Sequence, residues 1–435
     1  MNRPRRQKLA AGAAMCALAI TAAACSSSSS SSSGSTSSTA SGSTSSAAST
    51  GSATTGSAIK IGVIEPTNTA IYNAGDEVAA VRAAAAGVNA QGGISGHKVV
   101  VDYCNSQDDP NATAACVRQM ISDKVVELAA GIDILGPTMV QSLSSAGIPV
   151  VDEDALSLGE MTANTAFPLS GGIPAAESVE GYVAAQKGFK KILLVANSGN
   201  PFETTFETAL SSSAKKNGIT YAGVVDFPVA GVSSFSPYAA KIVNSGADIV
   251  SIPLSINQAV PLIQAVRALG SKVQFVINSG AFTDTDITKN AALVSGLYIV
   301  NDVPPVNAAT ESQFPIIKTF VSQMNAEAAT GDTNANISTV RSFSLRIWDV
   351  LQAQFQIMKD MKDPITASSY LAALNSAKAV SLNGILPNWT PSVHISITGL
   401  GSTRYSEANY WLLQIQGGQQ KLVSSQPINA VQVQG

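Results

Sequence analysis

From Ile59 onward, short apolar and β-branched runs alternate with segments whose apolar residues return every three to four positions. The first runs are IKIGVIE (59–65), KVVVDYC (98–104), VVELAAG (125–131) and IPVVDED (148–154). A second series follows: KKILLVAN (190–197), ITYAGVVDF (219–227), ADIVSIPL (247–254), KVQFVINS (272–279) and LYIVNDV (297–303). Starts in the second series lie 25 to 29 residues apart, the length of one strand-plus-helix unit. Continuous apolar runs suit parallel strands covered on both faces. Between them Val78, Val81 and Val88 keep helical spacing behind Asp76, an acid well placed for a first turn. Phe202, Phe206 and Leu210 repeat at i, i+4, i+8, as do Ile347, Leu351 and Phe355. Such stripes are core packing by default. The pattern predicts an α/β chain with two doubly wound parallel sheets in succession.

Proline and glycine in FPLSGGIPAA (167–176) mark a crossing from the first lobe to the second. NDVPPVN (301–307) marks a return, because Pro304 and Pro305 stop the last strand of the second series. Helices are expected at about 311–330, 341–361 and 366–376, then short strands at VHISITG and YWLLQIQ. One lobe is therefore drawn as residues 59–171 plus 304–390, the other as 172–303 plus 391–425. The glycines of QGGISGHK (91–98) form a helix-to-strand turn, not a phosphate loop: they precede a strand and no Gly-Lys-Ser/Thr occurs.

The N-terminus has a different texture. Arg3, Arg5, Arg6 and Lys8 precede the apolar stretch Leu9–Ala24, sixteen Ala-rich residues where a spanning helix needs about 20. This describes an export signal over residues 1–24. The small residues before Cys25 resemble the lipobox of bacterial lipoproteins, in which the signal is cut before a cysteine that takes a diacylglyceryl group. Ala22 departs from it, since leucine is usual there. Residues 26–58 are all Ser, Thr, Gly or Ala. Such a segment cannot offset its ordering entropy by burial, and as a flexible coil it spans roughly 30 Å. A tether over residues 25–58 fits, with a glycosylated stalk as the compositional rival. Cys16 leaves with the signal, which leaves Cys104 and Cys116 as a disulfide or as two buried thiols.

Charge and chemistry narrow the function. Only 13% of residues are charged and the net charge is −3, which gives no basic footprint for nucleic acid. The two histidines, His97 and His394, sit in no metal-ligand spacing, and no Gly-x-Ser-x-Gly elbow occurs. No catalytic residue, metal or cofactor is predicted, and a Ser/Asp/His hydrolase is the weakest of three readings. TDTDIT (283–288) lacks the glycine and glutamate of a calcium loop, so Thr285 or Asp286 is expected to cap a helix. Asp108 and Asp109 precede Pro110 as a turn. Asp152, Glu153 and Asp154 end a strand, Asp154 at its mouth and Glu153 as a solvated cap. Trp348, Trp389 and Trp411 are expected in core or hinge packing. In open α/β sheets ligands bind beyond the carboxyl ends of the strands. Here those ends carry EPTNTAIY, GIDI and DEDAL in the first lobe, and NSGNPF, LSIN and NSGAF in the second.

Three stretches carry a resemblance: IKIGVI, AAGVNAQGGISGHKVVVDYCNSQDDPNATAACVRQMISDKVVELAAG and AGIPVVDEDAL. They resemble the leucine/isoleucine/valine-binding type of solute receptor for ABC importers, from about Ile59 to the C-terminal strands. The resemblance implies a type I periplasmic binding fold of two lobes joined by a three-segment hinge, with a small molecule held in the cleft. It also implies delivery to an ABC permease, a lipid anchor on the outer face of the cell membrane, and a monomer. Carried over by position, first-lobe ligand contacts fall at Tyr72, Asp133, Asp154, Ala155 and Leu156. Second-lobe contacts fall at Phe202, Ser255 or Ile256, and Ser279. Two positions depart from the family's amino-acid binders: Ser279 stands where an acid holds the ammonium, and Asp133 where a small hydroxyl receives the carboxylate. Two carboxylates facing each other repel unless a proton or cation intervenes. An amide, a polyol-like or aromatic metabolite, or an amino compound in a reversed pose therefore ranks with a branched-chain amino acid. A sensor that signals to a partner without transport is the second reading.

Overall fold

The computed structural model describes residues 56–69, 73–130, 136–152, 155, 157–198, 202–228, 232–278 and 282–435. The export signal, Cys25 and the tether up to residue 55 lie outside the described residues. The first sheet is built from β1 (Ile59–Glu65), α1 (Gly75–Ala90), β2 (Val99–Asn105), α2 (Pro110–Asp123), β3 (Glu127–Ala130), α3 (Gly136–Ser145) and β4 (Val150–Asp152). Its strands are all parallel, in the order β2-β1-β3-β4. Central β1 is buried at six of seven positions, as a run with no polar face requires. A short helix α4 (Leu158–Thr162) follows, then α5 (Gly172–Gln186) opens the second layer.

That layer comprises β5 (Lys191–Ser198), α6 (Glu203–Lys216), β6 (Thr220–Pro228), α7 (Ser236–Ser245), β7 (Ile249–Ser251), α8 (Ile256–Ala268), β8 (Gln274–Asn278), α9 (Asp284–Lys289), α10 (Ala291–Val294) and β9 (Tyr298–Asn301). The chain then returns through α11 (Ala308–Gln313), α12 (Pro315–Ala328), α13 (Ser342–Lys359) and α14 (Ala367–Ser376) to cover the first sheet. It ends with β10 (Ser396–Ile397), β11 (Gly401–Ser402), β12 (Asn409–Gln416), β13 (Gln419–Leu422), β14 (Ile428–Asn429) and α15 (Ala430–Val433). The second sheet runs β6-β5-β7-β8-β9 in parallel, and β12 and β13 then add to β9 as antiparallel strands. Strand order reverses between β1 and β3 in one sheet and between β5 and β7 in the other, the positions where open sheets leave a crevice.

Three details differ from expectation. The helix expected over 311–330 is two helices, with Pro315 opening the second at a position where its missing N–H costs nothing. The strand expected at VHISITG shrinks to Ser396–Ile397, so His394 precedes it. Thr283, not Thr285, caps α9, and Asp286 returns the bond to the Thr283 backbone in a capping box. The glycine turn is as read: Gly92, Gly93 and Gly96 have φ of 98°, 78° and 83°, which favour a residue without Cβ. Cys104 in β2 and Cys116 in α2 form a disulfide with Cα atoms 5.5 Å apart.

Three passages connect the layers, and side chains lace them together. In the first passage Pro168 O accepts from Ser406 Oγ (3.1 Å) and Ala166 O from Arg404 Nε (2.7 Å). Tyr410 OH donates to Gly172 O at 2.8 Å. The residues answering from the third passage precede or begin β12. In the second passage buried Asp302 pairs with Arg346 of α13. Trp348 and Trp389 are fully buried, and Trp411 donates from Nε1 to Ile385 O at 2.9 Å. Among the described residues no helix is long and apolar enough to cross a membrane.

Candidate functional site

The polar groups lie where the strands end. After β1 the chain turns through Pro66–Thr69 and re-enters α1 at Gly75, and both limbs of this turn are tied down. Thr67 exchanges two 3.0 Å bonds with the Asn105 side chain at the end of β2. Its hydroxyl meets Tyr103 OH at 2.7 Å, and Thr69 bonds Asp108. On the return limb Asn73 Oδ1 accepts from Asn68 N (3.0 Å), while Asn73 O accepts from Arg341 Nη2 (2.8 Å). Asp108 therefore holds the loop as well as making the expected turn, and Asp109 caps α2.

Arg341 is the anchor. Its guanidinium forks onto Asp76 and reaches Glu77 Oε1 at 3.0 Å, and its backbone N–H donates to Asp76 Oδ2 at 2.9 Å. Ser344 Oγ donates to the same oxygen at 2.9 Å. Asp76 does sit in the first turn of α1, but it is 8% exposed and Glu77 is 0% exposed. Its main task is thus an ion pair that welds α1 to α13, with the helix dipole a smaller contribution. Next along the rim, Glu160 of α4 is buried against the start of α3, where a Cβ on Gly136 would collide with its carboxylate.

The second wall is quieter. Ser255 caps α8 with extended backbone, yet its hydroxyl makes no bond to that helix and the residue is exposed. Ile256 is half-buried and packs on the core. Phe202 stands at the start of α6, its carbonyl accepting from Phe206 N at 2.9 Å and its half-buried ring resting on the second-layer cluster. Asn197 bridges Phe227 O and Gln258 Oε1 by long bonds of 3.3 and 3.4 Å. Asn278, at the end of β8, turns its amide toward Glu177.

Of the expected contacts, Phe202, Ser255 and Ile256 stand at carboxyl ends of the second sheet. Ala155 follows β4; it is 2% exposed, and its carbonyl accepts from Tyr405 OH at 3.1 Å, so its methyl belongs to packing. Tyr72, Asp133, Asp154, Leu156 and Ser279 lie outside the described residues, as does Glu153. His97 is engaged at the opposite edge of the first sheet, with Nε2 2.9 Å from Asp363 and Nδ1 2.7 Å from Ser57 O. The Asp363 bond holds its pKa above the usual value. His394 lies before β10, its pKa lowered by burial and by Arg404. A groove of about 580 Å³ lined by Lys190, Asp248 and Lys272 lies where β5, β7 and β8 begin, the wrong edge for this kind of site.

Sequence reasoning passed over Arg341, Asn105 and the buried glutamates of α5. Arg341 follows a polar stretch, and nothing local to it signals a partner 265 positions away. The glutamates had a signal: GIPAAESVEGYVAAQ offers α5 no polar face, so an acid within it must be buried.

The comparisons with known proteins agree with this geometry. A solute-binding protein of an ABC transporter from R. palustris, solved in complex with 4-hydroxybenzoate, superposes with a TM-score of 0.65 at 18% identity. The match covers 86% of this chain and 97% of that one. An ABC transporter substrate-binding protein from Desulfitobacterium hafniense, in complex with Leu, gives 0.62 at 12% identity, covering 84% and 99%. A leucine-binding protein from Thermotoga maritima gives 0.64 at 12%, covering 85% and 99%. At these identities the likeness is one of fold. No protein of curated function matches the sequence. The sequence itself matches the periplasmic binding protein family over residues 58–418, and with that match the chain belongs to this family of extracytoplasmic solute receptors.

Proposed function

We propose that the protein captures a small polar molecule outside the cell and delivers it to an ABC permease by closing two lobes about a hinge. The observation that carries this reading is the placement of polar groups at the carboxyl ends of two doubly wound sheets that three laced passages join. Ends of this kind, facing across a hinge, make a cleft that closes over its guest. The lobes are residues 59–171 with 304–390, and 172–303 with 391–425. The first wall would offer Tyr72, Asp133, Asp154 and Leu156, with Ala155 packed behind them, and the second Phe202, Ser255, Ile256 and Ser279. Relatives solved with Leu and with 4-hydroxybenzoate support two guest classes, amino acids and aromatic acids. Asp133 and Ser279 in place of the family's hydroxyl and acid put an amide, a polyol-like or aromatic metabolite, or an amino compound in a reversed pose level with a plain branched-chain amino acid, and an aromatic acid would need a proton or cation at Asp133.

Lipidated Cys25 would hold the protein at the membrane through its tether, and intact-mass measurement of the membrane fraction tests for the added acyl groups. Capture suits micromolar affinity, about −8 kcal/mol, tight enough to load and weak enough to release. A thermal-shift panel of amino acids, amides, sugars and aromatic acids tests the reading. At least one compound should raise the melting temperature by several degrees, whereas a flat panel counts against capture.

A further inference from the structure

Behind the second wall two acids are buried together. Glu177 and Glu180 lie three positions apart on α5, hence on one face, and both are 0% exposed. Glu177 Oε2 accepts from Ser251 Oγ (2.9 Å) at the end of β7, and Oε1 accepts from Asn278 Nδ2 (2.8 Å) at the end of β8. Neither oxygen of Glu180 has a hydrogen-bond partner, and nor does Asn278 Oδ1. Three buried acceptor oxygens thus lack a donor.

Among the described residues no cation offsets them. Among the elements packed on α5, the strands β7 and β8 and the helix α15 contain no titratable residue. Tyr298 of β9 packs on Phe189 and lies under Lys187, which follows the last turn of α5. On α6, Lys216 is taken by the carbonyls of Gln432 and Gln434 at the C-terminus, and Lys215 lies beside it in the last turn. The remaining group that feels the pair is neutral: Tyr221 of β6, whose hydroxyl donates to Glu207 Oε1 at 3.3 Å. Two carboxylates buried side by side on one helix face without a cation do not both ionise readily. One bound proton turns an acceptor into a donor and relieves the orphaned oxygens. Burial pushes both acids upward, and for Glu177 the neighbouring Glu180 adds to it.

We propose that Glu177 and Glu180 share a proton and act as positioning residues behind the second-lobe half of the cleft, holding Ser251 and Asn278 and leaving that wall uncharged. This rests on the solute-capture reading. A guest's ammonium would find no counter-charge from the pair, whereas a hydroxyl, amide or carboxyl group would meet no repulsion.

Infrared difference spectroscopy of the full chain at pH 7 tests this directly. The wild type should show more carboxylic-acid C=O intensity than the double variant E177Q/E180Q, above the constant contribution of other buried acids such as Glu127. E177Q, neutral with one donor and one acceptor, should keep the wild-type melting temperature at pH 7, while E177A should not. If wild type and the double variant give the same carboxylic-acid intensity, the pair is ionised and the proposal is overturned. Should the double variant fail to fold, E177Q still reports, since a loss of melting temperature as large as that of E177A overturns the proposal. No ligand is needed, so an empty solute panel and an absent band are separate failures.

Discussion

Single side chains decide how firmly the first wall is held. Arg341 meets Asp76, Glu77 and the Asn73 carbonyl at once, with 12% of its side chain exposed. Replacing it by Met leaves two buried carboxylates without a cation, a change that typically costs about 3–5 kcal/mol. Urea denaturation of R341M should show a loss of this order, with R341K recovering only part because an ammonium cannot fork. A loss under 1 kcal/mol would mean the cluster contributes little. Sequence reading placed Asp76 in the correct turn but named no partner for it. Its acid preference for a helix start is a local signal, whereas Arg341 reaches it through tertiary packing. The place of Ser255 between a strand end and a helix start was legible for the opposite reason, since both are local features.

Whole elements carry the response to pH. Glu127 on β3 is 0% exposed, and burial pushes it up to about 8, partly offset by its bond with Tyr370. Burial likewise raises Asp349 of α13 to about 7 against its bond with Asn383, and Glu407 before β12 to about 7 against those with Asn409. Unfolded, such groups titrate near 4. Between there and 7–8 the folded state binds more protons than the unfolded one, so stability is full below the unfolded values and is lost as pH rises. The melting temperature should therefore fall between pH 5 and pH 9, each group contributing up to roughly 1.4 kcal/mol per pH unit. A flat or rising profile would show these acids ionised in place. The inner parallel strands of the two sheets were legible because a strand covered on both faces is apolar throughout, while the half-exposed edge strands β2 and β6 showed only as short β-branched runs. The additions β13 and β14 were not: QQKL is polar and half-exposed, and its pairing with β12 sets its place.

For the molecule as a whole, the passages between the sheets set what can move. Carbonyls at Ala166, Pro168 and Gly172 are held from the third passage by Arg404, Ser406 and Tyr410, and Asp302 in the second is pinned by Arg346. Lacing of this kind lets lobes pivot without separating, because bending is absorbed by a few backbone torsions. The crossings were legible from Pro304, Pro305 and the glycines at 171–172, but the cross-passage bonds were not, since the pairs stand some 240 positions apart. Spin labels at Asn111 on α2 and Thr204 on α6 occupy exposed helix starts beyond the strand ends of the two sheets. Pulsed-EPR distances between them, with and without the compound that most raises the melting temperature, read the pivot itself. Hinge closure predicts a shorter and narrower distance distribution with that compound, and an unchanged distribution at saturation would contradict it.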